Sequence, residues 1–479
     1  MTEDNKDLNV TSQAPQAAAA SDEAALEKMH YKQELRRVMG LPSVVFFGIA
    51  YLAPITIFTT YGLITEMTHG MLAMAYVVAT CAMIFTAFSY RQMVKAFPMA
   101  GSVYTYVQQT FNPHLGFMSG WAILLDYILL PMFDYVALAV YMKILVPQIS
   151  ATIWMLLFII LVTIVNVCGM NITKLFNNTL IIIQIVFLVS VILFAIKYVA
   201  GGGGLGTFAD FTAFYNAEEF HSPEVGMAGI WAGAAILCIS FLGFDSVTTI
   251  AEETRNPSKT IGSALIIICL AAGCTFIFTS YIMQAAWPEG WHEYADADSG
   301  AYDWMVHVVG PAMGIIFSAI FVIGATASAV ASSASAARIL FGMGRDGLLP
   351  KKVFGYVNKK TQVPTGNILL VGVISLSCLL LDLSAAASLI NFGALLGFIM
   401  VNLSVIFFYY VQRKKRGGSA VLNFIILPCI GIIVDAILWL SLDSLSKILG
   451  CIWLAIGFVF LLISTKGLKQ LPPTMHWEE

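Results

Sequence analysis

The chain has 479 residues, 59% of them hydrophobic and 11% charged, with mean hydropathy +0.82 and a net charge of −3. Soluble globular domains carry about 25% charged residues. This composition therefore excludes an ordinary soluble enzyme or nucleic-acid-binding protein and describes a polytopic chain in a lipid bilayer. All eight cysteines fall in apolar runs without a CxxC spacing, which predicts no disulfide, metal site or cofactor.

Residues 1–35 read as a polar amino-terminal tail, acidic first (Asp22, Glu23) and basic last (Lys32, with Arg36 and Arg37 following). That charge order suits a short surface helix, preceded by disorder over 1–20. The polar start reads as no secretory signal, so the spans themselves direct insertion. Apolar runs of about 20 residues then follow at 43–66, 72–94, 116–145, 152–168, 175–197, 227–250, 260–286, 307–338, 366–383, 388–411, 420–440 and 446–465. The predicted fold is an all-α membrane protein of twelve transmembrane helices. Of the 25 Lys and Arg, only Lys143, Lys197 and Lys447 then fall at the outer face. This places both termini in the cytoplasm and the chain in the cell membrane.

The outer loops are acidic. Residues 200–226 and 287–306 hold Asp210, Glu218, Glu219, Glu224, Glu289, Glu293, Asp296, Asp298 and Asp303, with no Lys or Arg. Such a vestibule raises the local concentration of cations.

Two spans are interrupted. Span 1 carries Gly48-Ile-Ala50-Tyr51-Leu-Ala-Pro54, and span 6 carries Ser240-Phe241-Leu-Gly243-Phe244-Asp245-Ser246. Paired breaks in matching spans of two halves point to a transport site. The chain then divides into a first five-helix repeat (36–199), an outer loop (200–226) and a second five-helix repeat (227–415). Helices 11 and 12 (416–465) and a cytoplasmic tail (466–479) complete it. Five is odd, so the second repeat is inverted relative to the first.

Four aspartates fall inside apolar runs: Asp126 and Asp134 in span 3, Asp245 in span 6 and Asp435 in span 11. An intramembrane carboxylate costs roughly 2.5–3.5 kcal/mol on insertion scales and marks a partner, a wet cavity or a cationic ligand. Tyr127, Pro131 and Asp134 share one helix face. Rings near the breaks, at Tyr51, Tyr61, Tyr104, Tyr127, Phe241 and Phe244, could face an ammonium group. Gly342-Met-Gly-Arg-Asp-Gly347 matches GxGxxG but follows an apolar helix rather than a strand. No Walker A sequence occurs, so ATP does not drive this chain directly. The Ala- and Ser-rich run 325–337 predicts close helix packing.

With these residues in view, the chain resembles the amino acid–polyamine–organocation transporter superfamily, through Glu252-Glu253-Thr-Arg-Asn256-Pro257 after span 6. It is similar in further blocks to bacterial putrescine importers: the span 1 break, Ala100-Gly-Ser-Val-Tyr104-Thr-Tyr106, Leu124-Leu-Asp-Tyr127, Leu237–Thr249, Met343–Gly347, Phe354-Gly-Tyr-Val357 and Ile390-Asn-Phe-Gly-Ala394. The resemblance covers about residues 35–465. It implies a five-plus-five inverted repeat with broken helices 1 and 6, alternating access, and coupling to an ion gradient. It also ties Tyr127 to putrescine uptake. The importers carry an acidic residue where this chain has Thr59, and asparagine where it has Asp134. Proton-coupled amino acid carriers of the superfamily often place a lysine where Gln184 stands; the expected coupling ion is a proton, with Na+ as the alternative.

The expected substrate is putrescine or a related small cationic amine. Gly48, Ala50, Tyr51, Tyr104, Asp126, Tyr127, Asp134, Ser240, Phe241, Gly243, Phe244 and Asp245 are the candidate binding residues. Backbone carbonyls near Gly48–Tyr51 and Ser240–Gly243 are expected to add coordination. An amino acid permease or exchanger of the same fold is the alternative, binding a carboxylate at exposed N–H groups of the breaks. An intramembrane aspartyl protease would use paired aspartates, but its Gly-x-Gly-Asp arrangement is absent, since Leu242 precedes Gly243. Oligomeric state has no signature in the sequence.

Overall fold

Backbone amides have no partner in lipid, so apolar runs of this length fold as helices. The computed structural model describes residues 37–472, except 53, 99–102, 170–173, 224, 346, 348, 359–360 and 362. The tail helix expected before residue 36 lies outside the described residues. Among the described residues every regular element is a helix, and one isolated bridge joins Met39 to Thr254.

The elements used below are α1 (Leu41–Leu52), α2 (Tyr61–Met67), α3 (Leu72–Ala96), α4 (Pro113–Leu145), α5 (Ala151–Val167), α6 (Lys174–Ala200) and α7 (Gly226–Leu237). They continue with α8 (Pro257–Ala286), α9 (Pro311–Arg345), α10 (Thr365–Ser375), α11 (Leu383–Val405), α12 (Leu427–Ser441) and α13 (Ser444–Ser464). Nine helices among the described residues are long and apolar enough to cross a membrane by length and composition. The other apolar runs are short (Ala151–Val167 and Thr365–Leu379) or divided (α1, Thr56–Thr59 and α2).

Two packed groups position the site. In one, α8 lies along α3 and α1, and α7 also packs on α3; in the other, α4 packs against α9 and α11. The first group is close because of a glycine. A Cβ on Gly273 of α8 would lie 2.2 Å from Thr80 Cγ2 of α3, so only hydrogen fits. The second group uses small residues, with Ala325, Ala329, Ala336 and Ala337 of α9 buried. Contacts of α11 with α3 join the two groups.

Helix ends are closed by local chemistry. Asn112 accepts from Leu115 N at 2.9 Å, with Pro113 at the first helical position of α4. At the other group, Val38 N and Met39 N donate to Glu253 O, and Arg255 N donates to Met39 O at 2.9 Å. This clasp ties the segment before α1 to the Glu253–Arg255 segment after span 6. Asn256 then takes a left-handed conformation (φ +48) and Pro257 starts α8. On the periphery, Trp121 and Trp453 each donate their indole N–H to the other's backbone carbonyl, at 2.9 and 2.8 Å. Their rings stack at 4.8 Å, fixing α13 on α4.

Candidate binding cavity

The break in span 1 begins at the end of the expected Gly48–Pro54 stretch and runs past it. Gly48, Ala50 and Tyr51 are inside α1, which runs to Leu52; a turn at 54–55, a short helix Thr56–Thr59 and a non-helical Thr60 (φ −108, ψ 4) precede α2. Pro54 is the physical reason. It disfavours helix at the residue before it and has no N–H to give the carbonyl of Ala50. The unwound carbonyls expected at Gly48–Tyr51 therefore belong to helical backbone. Gly48 is small for another reason: a Cβ there would lie 2.2 Å from Ile268 Cδ1 of α8. The side chain of Ala50 lies outside the described residues.

Span 6 breaks within the expected stretch. α7 passes into a 3-10 turn (Cys238–Phe241), Leu242 is extended (φ −60, ψ 136), Gly243 is left-handed (φ +94), and a second 3-10 turn covers Phe244–Thr248. Gly243 is required twice over. Its φ favours glycine, and a Cβ would lie 2.1 Å from Tyr51 Cδ1. Ahead of the break, Asn391 Nδ2 of α11 donates to the carbonyls of Ala235 and Ile236 at 2.8 and 2.9 Å. A buried side chain thus supports the helix end that the 3-10 turn leaves short of donors.

The two breaks meet α4 around a cavity of about 70 Å³. That is room for on the order of five water-sized occupants. From α4 come Asp126, Tyr127, Leu130, Phe133 and Asp134. Their spacing (i, i+1, i+4, i+7, i+8) makes one continuous helix stripe. A carboxylate stands at each end of the stripe, with apolar Leu130 and Phe133 between. Eight residues of helix separate the two Cα positions by about 12 Å. Pro131 within this helix cannot donate to the carbonyl of Tyr127.

The opposite walls are supplied by Tyr51, Thr56 and Thr59 from span 1, and by Leu242, Gly243 and Asp245 from span 6. Asp126 and Asp245 lie within electrostatic reach of each other, and Tyr51 of both. Tyr127 is in reach of Asp245, Tyr51 and Asp126. Tyr90 Oη of α3 donates to Asp245 Oδ2 at 3.1 Å. Asp134 Oδ2 accepts from Ser332 Oγ at 3.4 Å, and Ser328 of α9 also bonds this carboxyl. All three aspartates are buried, and the lining contains no Lys, Arg or His. The cavity is therefore rich in acceptors and short of positive charge.

Of the residues singled out in the sequence, Tyr51, Asp126, Tyr127, Asp134, Gly243 and Asp245 line this cavity. Ser240, Phe241, Phe244 and Tyr104 sit behind or beside it. Ser240 Oγ is hydrogen-bonded to Tyr76 Oη at 3.3 Å, and Phe241 packs edge-on to Phe276 at 5.4 Å. Phe244 packs edge-on to Tyr90 at 5.6 Å and so backs the residue that holds Asp245. Tyr104 packs beside Gly120 of α4. Tyr90, Ser328, Phe133 and Thr56 are site residues that sequence reasoning did not single out. Thr59 entered it only as a departure from the importers.

Residues 43–465 match the model of the amino acid permease family. The chain is 38% identical over 445 residues to the low-affinity putrescine importer PlaP of Escherichia coli (strain K12), covering 92% of this chain and 96% of that protein. It is 25% identical over 468 residues to the branched-chain amino acid permease BcaP of Bacillus subtilis (strain 168), covering 91% and 95%. A methylthioribose transporter of the same organism is 26% identical over 459 residues, covering 91% and 95%.

Proposed function

The chain belongs to the amino acid permease family, and from that premise we propose that it imports putrescine or a related small cationic amine by secondary-active alternating access. One observation carries this reading: the cavity has carboxylates at both ends of an apolar stripe, and no cationic side chain lines it. A diamine supplies what that arrangement lacks. One ammonium group sits between Asp126 and Asp245; the methylene chain lies against Leu130 and Phe133; the second ammonium reaches Asp134. Tyr51 and Tyr127 enclose the chain and add cation–π attraction, roughly 0.5–2 kcal/mol each. The relative PlaP is named a putrescine importer, which supports the same substrate class.

The wider architecture we propose has twelve spans in a five-plus-five inverted repeat. Here α1 and α2 together, α5, and α10 with its 3-10 extension cross the membrane along with the nine longer helices. Both termini are cytoplasmic, in keeping with the placement of Lys and Arg. The acidic outer loops concentrate cations at the entrance. An inward proton gradient is the proposed driving force.

Uptake of labelled putrescine into proteoliposomes tests the assignment, with and without an inward proton gradient, against unlabelled spermidine, ornithine and alanine. Gradient-driven uptake blocked by amines but not by alanine supports it. Putrescine uptake left unchanged by Asp245→Asn would sink the binding assignment. The second reading is an amino acid permease, favoured by the likeness to BcaP. It takes over if alanine or ornithine accumulates and putrescine does not.

A further inference from the structure

A fourth buried aspartate lies outside the cavity. Asp435 of α12 is 0% exposed, and its Oδ2 accepts from Thr86 Oγ1 of α3 at 2.9 Å and from Asn402 Nδ2 of α11 at 3.1 Å. Asn402 Nδ2 also lies 3.1 Å from Thr86 Oγ1, and Ser89 Oγ donates to Asn402 Oδ1. Asp435 Oδ1 has no hydrogen-bond partner. The titratable group facing Asp435 from the 3-10 turn after α7 is the Cys238 thiol, itself donating to Ala234 O. The groups brought to it by α3 and α11 are neutral: two hydroxyls and an amide.

An ionised carboxylate sealed in this way has no counter-charge. Among the described residues no group of three or more His, Cys, Asp or Glu is placed to hold a metal ion. A proton needs no such ligand set, and the free Oδ1 is where it attaches.

We infer that Asp435 is a proton-carrying site, separate from the substrate cavity and linked to it through the Thr86–Tyr90 segment of α3. Within one turn of that helix, Thr86 and Ser89 hold the Asp435–Asn402 cluster, while Tyr90 holds Asp245 in the cavity. The cluster also spans the junction between the two packed groups, because α3 belongs to one and α11 to the other. Movement of one group against the other breaks the Thr86–Asp435 and Asn402–Thr86 contacts and opens the carboxyl to water. On the outer side a hydronium ion gives its proton to the carboxylate, leaving water. On the inner side a water molecule takes it back.

This inference rests on the proposed transport reading for its role, but not for its existence. Infrared difference spectra of the full chain across a pH change test protonation without any substrate. A carboxylic-acid carbonyl band present in wild type and absent in Asp435→Asn is expected; the same band in both overturns the site. In proteoliposomes, D435N should retain putrescine counterflow but lose acceleration by an inward proton gradient. Full gradient-driven accumulation in D435N overturns the coupling role, as does accumulation driven by Na+ alone. Wild type that moves no diamine in either assay sinks the transport reading and leaves the infrared result to decide the site. Thr86→Val guards against misfolding of D435N, since it is isosteric and keeps the carboxyl. Removing that donor disfavours the ionised form, so the band's pH midpoint should rise by about one unit or more. An unmoved midpoint counts against the site.

Discussion

Tyr90 of α3 holds Asp245 of the span 6 break, its hydroxyl donating to Oδ2 across 3.1 Å. The pair connects a regular helix to an irregular one. Tyr90 is itself fixed by edge contacts with Phe244, Tyr106 and Phe398. Asp245 is thereby aimed at the cavity by a rigid support. Tyr90→Phe keeps the packing and removes the donor. A hydrogen bond to a charged group contributes about 1.5–3 kcal/mol, and each 1.4 kcal/mol is a factor of ten. Uptake efficiency for putrescine should fall by about tenfold or more while the protein stays folded. Unchanged kinetics would show that Asp245 needs no such support.

Gly243→Ala attacks the break itself. The left-handed conformation costs a side-chain-bearing residue about 1–2 kcal/mol, and the added methyl collides with the Tyr51 ring. Tyr51 is a wall of the cavity, so the collision reaches the site directly. Loss of most uptake together with a lower melting temperature is expected. The measurements are labelled uptake and thermal unfolding in detergent. Normal uptake in the alanine variant would mean that the break tolerates other backbone geometries.

The helical, membrane-spanning character was legible in the sequence because a long apolar run has few alternatives in lipid. The span 6 break was legible too, since glycine and a carboxylate inside such a run have no packing explanation of their own. In span 1 the break falls only at the end of the expected Gly48–Pro54 stretch, because Gly48 stays helical and makes room for Ile268. Pro54 was the decisive residue, through what it forbids at its neighbours. Tyr90 and Ser328 left no local signal of their own, and Asn391 stood out only within the Ile390–Ala394 block that resembles the importers. Each is an ordinary residue in a regular helix, and its importance comes from a neighbour far away in the chain: Asp245, Asp134, and the carbonyls of Ala235 and Ile236. Ser328 in particular sits in an Ala- and Ser-rich run that reads as helix packing and serves both purposes.

Asp134→Asn separates the two ends of the cavity. It keeps the size of the side chain and removes the charge at one end of the α4 stripe. A diamine needs both ends, whereas butylamine needs one. The KM for putrescine should rise by about tenfold, the scale of one charged hydrogen bond, while inhibition by butylamine stays as in wild type. Equal weakening of both ligands would place Asp134 outside the second ammonium position.

Asp298, in the segment between α8 and α9, predicts a pH-dependent cover. A Cβ on Gly62 of α2 would lie 2.3 Å from the carbonyl oxygen of Ala297, so this segment seats directly on α2. Burial, with the nearby charges of Asp296, Asp382 and Glu66, pushes the Asp298 carboxyl up from its ordinary 3.8 to about 6. The protonated form is therefore the one the folded segment favours. Its stabilising contribution is fully present below about pH 3.8 and is lost as pH rises through about 6. Hydrogen exchange in residues 294–303 should accelerate between pH 5 and pH 7 beyond the chemical rate. Asp298→Asn, which cannot ionise, should flatten that dependence and hold the segment down at neutral pH. Exchange in this segment that follows only the chemical rate, in wild type and variant alike, would remove Asp298 as a control on the cover. An acid-stabilised cover would also bear on transport: diamine entry should then be slower at pH 5 than at pH 7 at equal driving force, and in D298N the two rates should converge on the slower one.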